Sequence, residues 1–170
     1  MKVGIAIFPS KKLQDLANSY RKRYDSAYPY IPPHVTLKYA FTIEEDELDQ
    51  LSEKLGDIAR NHEPFTLRAL KVSSFHPVNN VIYFKVDPVP ELLKLHEAIN
   101  TIPYGEPPEY AYVPHITIGQ DLSEAEHDDV YGQLRLLKLE HEETVDRFHL
   151  LYQLENGVWT VYDTYLLGKK

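Results

Sequence analysis

A five-residue phrase occurs twice in this chain, and the second occurrence limits what the whole can fold into. Pro33-His34-Val35-Thr36-Leu37 returns as Pro114-His115-Ile116-Thr117-Ile118, with His115 standing 81 residues after His34 in a chain of 170. Successive side chains of an extended strand point to opposite faces, so His and Thr share one face and the apolar pair the other. One face is equipped for chemistry and the other for burial. A single H-x-T among 8 histidines is unremarkable. Two copies with the same proline and the same apolar flanks, half a chain apart, point to a fold built from two similar halves.

The surrounding pattern repeats with the phrase. Val3 to Phe8 reads as a buried strand, stopped by Pro9, and Ser10 caps a helix carrying Leu13, Leu16, Ala17, Tyr20 and Tyr24 at helical spacing. Its basic residues Lys11, Lys12, Arg21, Lys22 and Arg23 read as a solvated face or as a rim that attracts phosphate. A Pro/Tyr-rich approach then leads to a strand from His34 to Phe41, on which Lys38 shares the face of His34 and Thr36. Lys38 is a candidate partner for phosphate charge, against the ordinary fate of a lysine at a strand end, which is exposure.

Thr42 and Glu45 have the spacing of a capping box for a helix through Leu48, Leu51, Leu55, Ile58 and Ala59 to about Asn61. Phe65 to Phe75 and Val81 to Val86 make a hairpin, and Pro90 opens a helix through Leu92, Leu95, Ile99 and Ile102. His76 falls at the hairpin turn, and His96 lies on the helix, packed or exposed. A second Pro/Tyr-rich loop precedes His115. Ser123 and Glu126 offer another capping box, Glu142 to Leu154 alternates as a strand, and Asn156-Gly157 marks a hairpin into Val158 to Leu167. The order motif strand, helix, hairpin thus follows both His34 and His115. Residues 1–170 are expected to form one domain of two lobes, with equivalent motif strands facing one another across a groove.

Composition removes several chemistries. No cysteine is present, which excludes disulfides, thiolate metal sites and a cysteine nucleophile. A net charge of −8 argues against a partner of long nucleic acid, whose binding comes mostly from cations replacing counterions; a small phosphate ester or an oligonucleotide end needs only a local positive pocket. No apolar run reaches the ~20 residues that cross a bilayer, and the short apolar start reads as the first strand of a cytoplasmic protein. The oligomeric state is not legible.

Two imidazoles on opposite sides of one phosphorus can serve as base and acid, because His titrates near neutral pH, and two threonine hydroxyls can hold the phosphoryl oxygens. His34, His115, Thr36 and Thr117 are therefore the candidate site for phosphoester chemistry with no metal and no cofactor. Three other readings stay open. Both histidines could be structural. Either could ligate a metal, although H-x-T lacks the H-x-H or H-E-x-x-H spacing that supplies two ligands from one element. Or the protein could bind a terminal or cyclic phosphate without catalysis. Of the remaining histidines only His149, opposite Phe148 and Leu150 on a strand, invites scrutiny.

The doubled H-x-T-x, with apolar residues at both x positions, resembles the 2H phosphoesterases, the superfamily that includes bacterial 2′-5′ RNA ligase-like proteins and 2′,3′-cyclic nucleotide phosphodiesterases. The similarity extends over the whole chain to a small bacterial branch of phosphoesterases. It implies an α+β fold of two pseudo-symmetric lobes of antiparallel sheet and helices around a central cleft, with His34 as proton donor and His115 as proton acceptor. Many RNA-acting relatives carry basic residues near the second motif. Gly119-Gln120-Asp121 stands there in this chain, which counts against RNA as the substrate and leaves small cyclic phosphates, including nucleotide or ADP-ribose derivatives, equally open.

Overall fold

A computed structural model describes residues 1–168. Eight strands form two four-stranded antiparallel sheets, with four helices packed against them. The first sheet contains β1 (Lys2–Ile7), β2 (Val35–Thr42), β7 (Arg147–Gln153) and β8 (Trp159–Leu166), in the spatial order β2-β1-β7-β8. The second contains β3 (Phe65–Ser74), β4 (Ile82–Val86), β5 (His115–Gly119) and β6 (Lys138–Val145), in the order β5-β4-β3-β6. Each phrase therefore lies on an edge strand, and each edge strand pairs with the strand one helix earlier in the chain.

That helix does not return to its own sheet. The first, α1 (Lys11–Tyr24), joins β1 to β2 yet packs on β5, with Tyr20 set edge-on to Phe84 at 6.3 Å. Its counterpart α3 (Pro90–Ile99) joins β4 to β5 yet packs on β2. Of the other two, α2 (Leu48–Arg60) covers β8, and α4 (Glu124–Leu134) lies against β3. The crossed helices lock the two sheets together.

The core is continuous. Val3, Ile5, Ile7, Leu37, Phe148 and Leu150 from the first sheet and Leu67, Val72, Ile82, Phe84, Ile116 and Ile118 from the second are nearly inaccessible. Each such side chain contributes about 1.5–3 kcal/mol relative to exposure. Because these residues alternate along their strands, the opposite faces are left for Gly4, Ala6, Thr36 and His149 on one sheet and for Tyr83, Lys85, His115 and Thr117 on the other.

Helix starts follow the sequence at Ser10, whose hydroxyl accepts from Leu13 N at 3.5 Å, and at Ser123, which forms a capping box with Glu126. Pro90 occupies the start of α3. The expected capping box at Thr42 and Glu45 is not formed. Thr42 is paired with Lys2 at the end of β2, and the box is made by Glu44 and Glu47 around a single 3₁₀ turn, Glu45–Glu47, ahead of α2. A second expectation also needs correction. The alternating stretch Glu142 to Leu154 is not one strand but the end of β6 and all of β7, which belong to different sheets and part at Asp146. Both pieces alternate in phase with burial, so periodicity alone could not reveal the crossing. Among the described residues no helix is long and apolar enough to cross a membrane.

Candidate active site

The phrase determines the posture of its histidine locally. His34 Nδ1 lies 2.9 Å from Pro32 O, and His115 Nδ1 lies 2.7 Å from Val113 O. A carbonyl oxygen only accepts, so each ring donates its Nδ1 proton to the carbonyl two residues upstream. The neutral ring then carries its lone pair on Nε2. Proline between the histidine and that carbonyl holds the chain extended. Neither threonine hydroxyl has a hydrogen-bond partner among the described residues, and both side chains are half-buried. Each copy thus presents one bare ring nitrogen and one free hydroxyl.

The two motif strands, β2 and β5, lie against each other. Burial pushes the His34 imidazole down to about 4; the Pro32 carbonyl opposes that shift, and Arg21 and His115 reinforce it. His115 is also lowered, first by desolvation, against the pull of its bond to Val113. Both rings are neutral bases at neutral pH while nothing anionic lies between them.

Each motif is braced by the loop that leads to the other. Tyr112, in the approach to His115, donates its hydroxyl proton to Thr36 O at 2.8 Å, while its ring stacks on His96 at 3.6 Å with the planes 5° apart. Conversely, Asp25, where α1 ends, accepts from Gln120 Nε2 at 2.7 Å, and Gln120 N donates to Tyr24 O at 3.0 Å just beyond the second motif. The Pro/Tyr-rich loops are therefore cross-braces. Asp25 is itself held by Arg21, Nε to Oδ2 at 3.0 Å, and Arg21 also donates to Ile31 O at 2.6 Å, close before His34.

Arg21 does not lie on the expected solvated or phosphate-attracting face: it is only 2 % exposed and its charge is answered internally. The helical pattern hides this, because Arg21 sits on the apolar face one turn after Ala17. Lys38 departs from expectation as well: it is 4 % exposed, with Nζ 3.3 Å from Asn100 Oδ1 and 3.2 Å from Glu106 O. Two irregularities in the β1–β2 ladder set Lys38 opposite the core residue Ile5 while Thr36 stays opposite Ala6. A register shift of this kind turns a side chain to the other face. Lys38 therefore leaves the face of His34 and Thr36 and anchors the 100–113 loop. Gly105 in that loop has φ +70°, and a Cβ there would lie 2.8 Å from Phe41 Cγ, so only glycine lets the loop approach β2.

The second histidine has aromatic walls that its sequence neighbours did not reveal. Phe75 and Tyr83 set their rings at 5.1 and 5.2 Å from the His115 ring, both edge-to-face. His149 lies on the same face of the first sheet as Thr36, two strands away, with Nδ1 2.9 Å from Thr164 Oγ1 and its ring 5.1 Å from Phe8. No group of three or more metal-ligating side chains occurs among the described residues.

The chain is similar to known proteins over most or all of its length. A family model described as the 2'-5' RNA ligase superfamily matches residues 8–157. A protein of Bacillus pumilus named "Putative phosphoesterase" is 57 % identical over 170 residues, covering 100 % of this chain and 99 % of its own. A relative from Geobacillus kaustophilus named in the same way is 54 % identical, covering 100 % and 98 %. Among solved structures, TT0787 of Thermus thermophilus superposes with a TM-score of 0.74 at 20 % identity over the full length of both chains. LigT of E. coli in complex with 3'-AMP gives 0.71 at 18 % identity over 99 % and 98 %. The solved neighbours share the α+β arrangement of two antiparallel sheets.

Proposed function

This chain belongs to the 2'-5' RNA ligase superfamily, and from that premise we propose that it is a phosphoesterase that opens a cyclic phosphate or phosphodiester by two-histidine acid/base catalysis without a metal. The observation that carries the reading is the matched pair of imidazoles, each with Nδ1 tied to a main-chain carbonyl, Nε2 bare, and an unengaged threonine hydroxyl two residues on. His115 acts as proton acceptor and removes a proton from the attacking water. His34 acts as proton donor and protonates the departing sugar oxygen. Thr36 and Thr117 donate to the non-bridging oxygens. Lys38 serves by holding the 100–113 loop over β2 rather than by touching phosphate.

The depressed proton affinity of His34 fits this scheme once substrate is counted. A donor must carry a proton, and an empty, partly desolvated site disfavours that charge. A phosphate anion between the rings reverses the balance, so binding and proton uptake occur together. The substrate class is a small cyclic nucleotide, an RNA end or a related nucleotide derivative, in keeping with the 3'-AMP held by the E. coli neighbour. The chain acts as one domain whose two lobes arose from an internal repeat, and it works in the cytoplasm.

The test is turnover of a panel of 2′,3′-cyclic mononucleotides in excess chelator by wild type, His34→Ala and His115→Ala. Conversion that resists chelator and collapses in both variants is the expected result. Conversion that survives either substitution removes that histidine from the mechanism. Tight binding without conversion of any member favours the non-catalytic phosphate binder instead.

A further inference from the structure

The ladder of the second sheet extends the site sideways. His115 on β5 is paired with Lys85 on β4, Lys85 with Lys71 on β3, and Lys71 with Lys138 on β6. Residues directly opposite one another in antiparallel strands put their side chains on the same face. The three lysines therefore form a row that starts beside the second histidine and crosses the sheet on its face, away from the core residues Phe84, Val72 and Ile116. Strands lie about 4.8 Å apart, so the row reaches roughly 14 Å from His115.

Such a row carries an electrostatic cost. Like charges directly opposite on neighbouring strands destabilise a sheet, and this chain has 26 acidic residues available to separate them. Three cations elsewhere are answered by carboxylates: Arg68 faces Asp87 and Glu142, Lys11 faces Asp15, and Arg147 faces Asp146. None of the three lysine ammonium groups has a hydrogen bond or ion pair among the described residues. Glu140 lies two positions from Lys138 on β6, and Glu142 beyond it is held by Arg68. The neighbouring row on this face, Thr117, Tyr83 and Ser73, carries no cation, and neither does the row Thr36, Ala6, His149 and Thr164 on the first sheet.

We propose that Lys85, Lys71 and Lys138 form a subsite for a second phosphate of the substrate, one sugar removed from the ester held between the histidines. The inference rests on the reading of the histidine pair as the place of the first phosphate. The preferred substrate is then a nucleotide bearing another phosphate besides the reacting one, or the end of an oligonucleotide whose next phosphate falls on the row. The polarity of the cleft follows, with the chain of phosphates running across the second sheet towards β6. Basic residues missing from the sequence after the second motif are thus supplied by strands β3, β4 and β6, beside it in space.

Calorimetry on the full chain with two probes tests this: adenosine 3′-monophosphate and adenosine 3′,5′-bisphosphate. The expected result is a bisphosphate that binds at least tenfold more tightly than the monophosphate, with an advantage that shrinks as salt is raised. In the Lys71→Gln/Lys138→Gln double variant the ratio of the two dissociation constants falls towards one, whereas Lys54→Gln on α2, the helix that covers β8 of the other sheet, retains the wild-type ratio. Equal affinity for the two probes in wild type overturns the proposal, as does a preference that survives loss of the lysines or the absence of binding by either probe. Turnover of adenosine 2′,3′-cyclic phosphate is scored separately. A lysine-dependent preference without turnover sustains the subsite and defeats the catalytic reading; turnover without a preference does the reverse.

Discussion

The two copies of the phrase are alike at the ring and unlike around it. Both histidines donate Nδ1 to a carbonyl two residues upstream at 2.7–2.9 Å, and both are followed by an unengaged threonine. Around His34 the shell is ionic: Arg21 and Asp25, both buried, act on its charge in opposite directions. Around His115 it is aromatic, with Phe75 and Tyr83 edge-on to the ring. The lesson is a division of labour. Five residues suffice to aim a histidine and choose its tautomer, whereas its proton affinity is set by side chains from other strands and helices. Two similar phrases can therefore differ in proton affinity, as the proposed acid and base require.

The likeness of the two copies is most severely tested by deleting each ring. His34→Ala and His115→Ala are each expected to lower kcat/KM roughly 10²–10⁴-fold, measured on a 2′,3′-cyclic mononucleotide, and the double variant much less than the product of the two. Near-complete multiplicativity would mean that the rings act in separate steps rather than on one phosphorus.

The unlikeness is tested next, through Arg21→Met. Removing one member of a buried ion pair leaves the other charge unanswered, which costs about 3–5 kcal/mol. Asp25 would lose the guanidinium while still accepting from Ala27 N and Gln120. A loss of unfolding free energy of that size, read from urea denaturation, is expected, together with loosening around both motifs, because Asp25 is the brace that reaches Gln120. A change below about 1 kcal/mol would show that the pair is not the internal support of the first motif.

These two experiments also mark how far the sequence could be read. The motif strands, the helix starts at Ser10, Pro90 and Ser123 and the Asn156-Gly157 hairpin were legible because each depends on neighbours within a few residues. The α+β class and the antiparallel sheets follow from them. What could not be read was set by register and by crossing. Lys38 changed face through ladder irregularities that leave no local trace. Arg21 looked like its exposed neighbours Lys22 and Arg23 until Asp25 and Ile31 were brought to it. Phe75 and Tyr83 lie 40 and 32 residues before His115, and only the β3–β4–β5 ladder makes them its walls.

Smaller effects separate the threonines. If both hydroxyls hold phosphoryl oxygens, Thr36→Val and Thr117→Val are each expected to reduce kcat by about 10²-fold with little change in stability. A loss confined to one variant would assign oxyanion stabilisation to a single lobe. Thr36 has the stiffer surroundings, since Tyr112 holds its carbonyl, so that variant should also leave the strand in place.

The pH dependence of stability sharpens the comparison further. His34 binds a proton at about 4 when folded and at 6.5 in an unstructured peptide. Between those values the unfolded chain takes up a proton that the folded one refuses. Stability contributed by the neutral ring is thus fully present above pH 6.5 and is lost as pH falls towards 4. His115 adds to the same trend through its own lowered affinity. Urea midpoints at intervals from about pH 7 to 4 should fall less steeply in His34→Gln than in wild type. Equal slopes would mean that His34 titrates normally.

The smallest effect concerns the aromatic shell. Phe75 keeps water from one side of His115, and desolvation is the main reason that ring resists protonation. Phe75→Ala should admit water and raise the proton affinity of His115, because solvent favours the imidazolium more than a benzene edge does. His34 should not rise, since its own burial is the main cause of its depression and a more readily charged His115 only adds to it. An NMR titration of the two rings reads both at once. If His34 rises together with His115, the two shells are not independent, and the difference between the copies lies in the shared space between the rings rather than in the walls behind them.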